Sequence, residues 1–190
     1  INVAGAAQLN AANVLVMRAT STLTTSAVTR PDSPSNQSDQ DASVASNIVS
    51  SSARLRIADS ARLSVGSGAA VLSAANTINV TSDADGTAGS SSGSAVGGTV
   101  AVTHVGGDTT VELLGTSAVT ASTLTVTATT DRTVMTRAKA TSGGATDNTS
   151  GTPTQGQTQL DNNNAQTGQG GDSSIGFAAA VAVTHIEGTT

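Results

Sequence analysis

The chain has 190 residues, a formal charge of −5, no cysteine, no tryptophan and no tyrosine, and a single phenylalanine, Phe177. The lack of cysteine excludes a disulfide framework and thiolate metal sites. The mild acidity, without any basic stripe, argues against nucleic acid as a partner, and the longest apolar run, residues 175–183, has about half the length of a membrane-spanning helix. So few large side chains leave the centre of an ordinary globule unfilled, whereas a solenoid needs a core only a few side chains wide.

In chain order, residues 1–16 alternate with period two, and Leu9, Ala11, Val14 and Val16 are expected to face inward. Arg18 is expected at a corner where its side chain reaches water, and residues 20–29 alternate more weakly. Residues 30–42, RPDSPSNQSDQDA, break the pattern with two prolines and three aspartates and read as a solvated loop. Their acidic spacing fits no calcium-loop motif. Residues 44–49 read as a strand. In residues 53–65, Leu55 and Ile57 point in, Arg54 and Arg56 point out, and Leu63 and Val65 begin another strand. Leu72 with Ala74, and Ile78 with Val80, read as two strands round a corner at residues 75–77, and residues 82–94 as a second loop.

Residues 100–128 carry the clearest alternation. Val100 and Val102 are expected inward and Thr103 outward; Val111 and Leu113 flank Glu112; Val119, Ala121, Leu124, Val126 and Ala128 continue the inward phase. Gly106, Gly107, Asp108 and Gly115 supply turns. Residues 133–140 form a further strand with Arg137 and Lys139 outward. The third and longest irregular segment is 141–174, rich in Gly, Gln, Asn and Thr. It precedes a second AVAVTH just as 82–94 precedes the first, so the excursions are expected on one side of the rod. Three formal glycosylation sequons, at Asn36, Asn79 and Asn148, are of a kind that arises by chance in so Ser- and Thr-rich a chain.

The pattern repeats. Residues 177–185, FAAAVAVTH, match residues 96–104, VGGTVAVTH, at an offset of 81, and residues 1–20 match 111–130 at an offset of 110, with Gly5 on Gly115. Read from tail to head, HIEGTT-INVAG resembles HVGGDTT-VELLG with one residue deleted. The expected fold is therefore an all-β parallel solenoid of about six coils with protruding loops. Residues 1–190 are expected to be one unit or slice of a longer tandem array, with Ile1, Val3, Thr189 and Thr190 at the fibre junction.

The stretch AVGGTVAVTHVGGDTTVELLGTSAVTASTLTVTATT resembles the repeats of giant bacterial surface proteins of the filamentous-haemagglutinin and leukotoxin-like filamentous adhesin type. Such repeats run from a Gly/Ala/Ser-rich segment to an AVAVN-like strand, a Thr-Thr turn, a strand ending in Gly, and V-T-A-x-x-L-x-V-x-A. Here Gly97 and Gly98, residues 100–105, Thr109 and Thr110, residues 111–115 and residues 119–128 hold those places. His104 and His185 depart from the pattern, which more often has a β-branched residue. The resemblance covers roughly two thirds of the chain. It implies a right-handed parallel β-helix, export to a bacterial cell surface, and adhesive or scaffolding work. The partners expected are further copies along a fibre axis and, through the loops, a host or neighbouring cell surface or a polysaccharide.

Little in the sequence points to chemistry. His104 and His185, in phase with Val102 and Val183, are expected inward and about two coils apart. At roughly 4.8 Å per coil that is about 10 Å, too far for one metal bonded at about 2 Å to each nitrogen. Arg54, Arg56, Asp59 and Arg62 form the densest charge cluster and read as a solvated face. A polysaccharide-binding or polysaccharide-cleaving β-helix is the alternative reading, but it needs converging carboxylates and aromatic sugar platforms. An ice-binding ladder of Thr103, Thr125 and Thr127 is a minor alternative, interrupted where Leu15 and Met17 replace the threonines. No catalytic residue, cofactor or metal ligand is assigned.

Overall fold

The computed structural model describes residues 1–30, 40–88, 95–142, 157–158 and 176–190. A first circuit of the chain forms β1 (Asn2–Val3), β2 (Gln8–Ala11), β3 (Val14–Thr29) and β4 (Gln40–Ser50). A second forms β5 (Ala53–Ile57), β6 (Arg62–Val65), β7 (Ala69–Ala88) and β8 (Ala95–Gly106). A third forms β9 (Thr109–Leu113), β10 (Ala118–Thr120), β11 (Thr123–Ser142), β12 (Gln157–Thr158) and β13 (Gly176–Ile186). Each strand pairs in parallel with its counterpart one circuit on. Sheet A is β1-β5-β9, sheet B is β2-β6-β10, sheet C is β3-β7-β11 with β12 added on β11, and sheet D is β4-β8-β13. There is no helix among the described residues. The all-β, parallel-paired architecture expected from the period-two pattern is therefore present.

The size of a coil differs from expectation. Asn2 pairs with Arg56 and Arg56 with Glu112, so one circuit takes 54 and then 56 residues. Sheets A, B and D are three strands deep, which makes three levels rather than about six coils. The offset of 110 spans two circuits, and the offset of 81 spans one circuit enlarged by an insertion. At roughly 4.8 Å per level the outermost strands of a three-level sheet lie about 10 Å apart.

Sheet C forms one long wall. It packs against sheet D along β4, β7, β8, β11 and β13 and against sheet A along β3, β5 and β7. Between the walls the interior is banded. At the sheet A end Leu55, Ile57, Leu63, Leu72 and Met17 form an apolar cluster. Further along, Ile78, Val80 and Val105 form a second. At the far end of sheet D only small residues fit: Ala45, Ala84, Ala101, Ala138, Ala140 and Ala180.

Hydroxyls and amides fill the bands between. Thr25 Oγ1 donates to Asn47 Oδ1, and Asn47 Nδ2 donates to Ser82 Oγ. Thr103 donates to Ser82, Thr136 to Thr103, and Thr184 to Thr136, each over 2.7 Å. This chain of bonds climbs through all three levels. A second polar band holds Ser21, Ser51 and Asn76, with Thr130, Thr109 and Thr190 above them.

Corners set which residues face in. Gly5, Asp59 and Gly115 stack at one corner with φ of 70°, 61° and 70°. Aspartate is one of the few residues other than glycine that tolerates this left-handed conformation. At the corner between sheets D and A, Gly107 has φ 136° and a Cβ there would sit 1.8 Å from the Ser51 carbonyl oxygen, so only glycine fits. The next corner varies in length: from Gln8 to Val14 is six steps, from Arg62 to Ala69 seven, and from Ala118 to Thr123 five, although the end residues pair with one another.

An odd change in length inverts the side-chain phase. Leu15, Met17 and Ala19 therefore share columns with the buried Ala70, Leu72 and Ala74, and with Leu124, Val126 and Ala128. Val14 and Val16, expected inward from the fixed offset, face outward at 58% and 50% exposure. Arg18 points out from within β3, in the column of Thr127, not from a corner.

Other expectations are also corrected. Residues 75–77 are no corner: β7 is continuous, and Asn76 points in, with Nδ2 donating to the Ser51 carbonyl over 2.6 Å. Ser82–Ala88 belong to β7, not to a loop; Ser82 and Ala84 face in because only small side chains fit beneath sheet D. Gln40–Ala42 likewise belong to β4, and Thr141 and Ser142 to β11. The remaining parts of the expected loops lie outside the described residues, apart from Arg30, which follows β3, and Gln157 and Thr158, which form β12. In sheet D the phase is inverted outright: Ala101, Thr103 and Val105 are buried, while Val100 and Val102 lie on the outer face. The close approach of sheet C selects the smaller set for the inside.

Replacing the buried Leu72 by alanine is expected to cost about 2–5 kcal/mol, as large-to-small changes in a closed core do. The same change at Val14 is expected to cost less than about 1 kcal/mol. Urea denaturation of the two variants checks the inverted phase directly; equal losses would place Val14 inside.

Candidate functional site

Three places merit analysis: the groove where sheet D meets sheet A, the outer face of sheet D, and the two end levels. The groove has a volume of about 600 Å³ and is lined by Ile48, Ser52, Arg54, His104, Asp108 and Glu187, among others. Its floor is the glycine corner. Arg54 pairs with Asp108 across 2.5 Å. Asp108 also accepts from the Thr189 amide at 3.1 Å and the Thr189 hydroxyl at 3.0 Å. The two bonds from Thr189, helped by Arg54, hold the Asp108 carboxyl below its ordinary value of 3.8.

The histidines stand at the rim of this groove. His104 and His185 are column neighbours on adjacent levels, not two coils apart, and they lie on the outer face, with Val102 and Val183. Their rings stack with centroids 5.1 Å apart and planes within 8°. Glu187 reaches both, at 3.4 Å from His104 Nε2 and 3.6 Å from His185 Nε2. Among the described residues no group of three or more His, Cys, Asp or Glu could hold a metal ion.

The charge cluster is spread, not convergent. Arg56 and Arg62 are exposed on sheets A and B, beside Glu112 and Gln8 in their columns. Asp59 is spent on the corner, where Oδ2 accepts the Gly5 amide at 2.9 Å. A smaller hollow of about 450 Å³ lies over Asn2, Arg56 and Glu112. The threonine ladder is broken differently from the expected way. Thr103 is buried inside, and Val16 and Arg18, rather than Leu15 and Met17, share columns with Thr125 and Thr127. Asn79, of the central sequon, sits within β7 in the column of Thr24 and Thr133.

The outer face of sheet D carries an apolar stripe that the alternation had assigned to the core. Val44, Val100 and Val181 form one column and Ser46, Val102 and Val183 the next; beside them Ile48 is 77% exposed beneath His104 and His185.

The four junction residues lie at opposite ends of the stack. Ile1 donates its terminal amine to the Arg54 carbonyl at 2.7 Å, and Val3 pairs with Ile57 on the lowest level. Thr189 accepts from the Thr109 amide at 2.9 Å, and Thr190 bonds Thr130 through its hydroxyl at 3.0 Å. Thr189 thus bonds the first residue of β9 from the level above. The hydroxyl ladders and the seam groove leave no signal in the sequence, because each depends on residues a whole circuit apart. No helix among the described residues is long and apolar enough to cross a membrane. Comparison with protein-family models, curated proteins and solved structures gave no match.

A carboxyl held below 3.8 contributes stability that is complete above that value and is lost as the pH falls through its lower folded value. Protection of the Thr189 amide against hydrogen exchange, corrected for intrinsic rate, is therefore expected to hold constant down to about pH 4 and to decline below it. In Asp108→Ala it should be low at every pH. Full protection in that variant would remove Asp108 from the tether.

Proposed function

We propose that this chain is a structural segment of an extracellular fibre or adhesin stalk on a bacterial surface, wound as a right-handed parallel β-helix that stacks end to end with further copies. The observation that carries the reading is the in-register pairing of whole levels, which among the described residues leaves an open strand edge on the lower level and, apart from the short β12 on β11, on the upper level. Open parallel edges template further pairing, and quasi-one-dimensional stacks grow by adding the same unit. The resemblance of the AVAVTH repeats to those of giant surface adhesins supports the export and the location.

The levels act as scaffold in this reading, and the chain does no catalytic work. The insertions that separate sheet C from sheet D leave between β3 and β4, β7 and β8, and β11 and β13. The ends of these strands pair with one another, so all three insertions depart from one edge of the stack. Any contact with a host surface, a neighbouring cell or a polysaccharide is assigned to that edge.

Immunogold labelling of source cells with an antibody raised against the 190-residue protein tests this. Labelled unbranched surface filaments are the expected result. Label confined to the cell interior would overturn the reading.

A further inference from the structure

The two end levels are complementary, and their columns fix one register for stacking. Along sheet D, His185 pairs with His104 and Ile186 with Val105, and the Glu187 amide bonds the Val105 carbonyl. Gly188 then repeats the corner of Gly107, with φ of 139° against 136°. The Thr109 amide bonds the Thr189 carbonyl, the step that parallel pairing makes when Thr190 is the partner of Thr109. Thr190 therefore stands over Thr109. On the lowest level, Asn2 pairs with Arg56, and Arg56 pairs in turn with Glu112. Ile1 thus belongs to the column of Leu55 and Val111. Between the columns of Thr109 and Val111 lies one position, that of Thr110. A copy stacked above in register is separated from Thr190 by one residue, and a direct Thr190–Ile1 join falls one residue short of the Thr-Thr-Val step that the tail-to-head reading expected.

In that register several columns match by type. Leu9 covers Val119, Leu15 covers Leu124, and Met17 covers Val126, three apolar contacts in which every side chain but the buried Met17 is left partly open by its end level. Ser21 covers Thr130 and Asn47 covers Thr184, which brings together the ends of the two polar bands. Val28 and Thr29 of the added copy fall on Arg137 and Ala138, which β12 already pairs, and other inward columns do not match by type: Thr25 falls over Val134, Ala27 over Thr136 and Leu23 over Arg132. The guanidinium there already turns aside to the corner, with Nη2 donating to the Gly107 carbonyl at 2.8 Å. A shift of one residue would set the inward Leu15 and Met17 over the outward columns of Thr123 and Thr125, or of Thr125 and Thr127, and lose the match of side-chain phase between the two copies.

We infer that the partner of the upper level is the lower level of a second copy of this chain, docked in the single register in which one residue separates Thr190 from Ile1. The inference rests on the proposed stacked fibre and supplies its junction.

Tandem chains of two copies joined through zero, one or two serines between Thr190 and Ile1 test it by thermal unfolding. The one-serine tandem is expected to melt highest, about 5 °C or more above a single copy, the rise that a few apolar contacts give a chain of this length. Leu124→Lys in the first copy of that tandem, at the junction, should remove the rise. The same change in the second copy, at the free upper level, should leave it. Equal rises in all three tandems, or a maximum for the direct join, would overturn the register while leaving end-to-end stacking in place. No rise in any tandem would overturn both this inference and the stacking on which it rests.

Discussion

The parallel backbone ladder between successive circuits is the constraint on which the rest depends. Once Asn2, Arg56 and Glu112 share a column, every residue of one circuit stands over its equivalent in the next. Like then stacks on like: alanine on alanine near the end of sheet D, histidine on histidine at the groove, left-handed residues at the corner of Gly5, Asp59 and Gly115. The pairing also explains how corners differ by one residue without disturbing the sheets. An extra or missing residue is absorbed between strands, where no ladder bond has to be kept.

Flattening of the stack decides what fills it. Sheets C and D close together leave no room for the large side chains of an ordinary core, so the interior is built from alanine with serine, threonine and asparagine. An unpaired buried hydroxyl costs about 1–3 kcal/mol; those of Thr29, Ser43 and Thr99 stay unpaired, but the central band is bonded throughout. The bonds from Thr25 through Asn47, Ser82, Thr103 and Thr136 to Thr184 meet the demand for partners by passing it from one level to the next. Each level is thus incomplete without a neighbour, in polar as well as apolar terms. This gives a physical basis for a rod that extends, and it accounts for the matching bands on its two ends.

The sequence made the strand class legible and the inward phase legible in part. Leu55, Ile57, Leu63 and Val65 were read correctly because short strands between glycine- or aspartate-marked corners alternate large with polar. The same logic failed in sheet D, where the larger Val100 and Val102 are outside and Ala101 and Thr103 inside; hydropathy ranks the pair wrongly when space, not polarity, is limiting. It failed at Val14 because an offset of 110 cannot register a corner that changes length by one. The spacing of the histidine pair misleads because their offset of 81 residues is one circuit enlarged by an insertion, not two short ones. The seam groove was invisible, since Arg54, Asp108 and Glu187 are brought together only by stacking.

The length of the circuit is the central claim, and the two histidines report on it. With no tryptophan or tyrosine and one phenylalanine, the aromatic region of the proton spectrum is nearly empty, and ring-to-ring cross-peaks can be assigned without ambiguity. A circuit of about 55 residues puts His104 and His185 on adjacent levels with centroids 5.1 Å apart, and predicts a direct nuclear Overhauser cross-peak between their ring protons. Coils half as long would set the rings two levels apart, about 10 Å at the ladder spacing. Absence of the cross-peak in the folded protein would contradict the three-level stack.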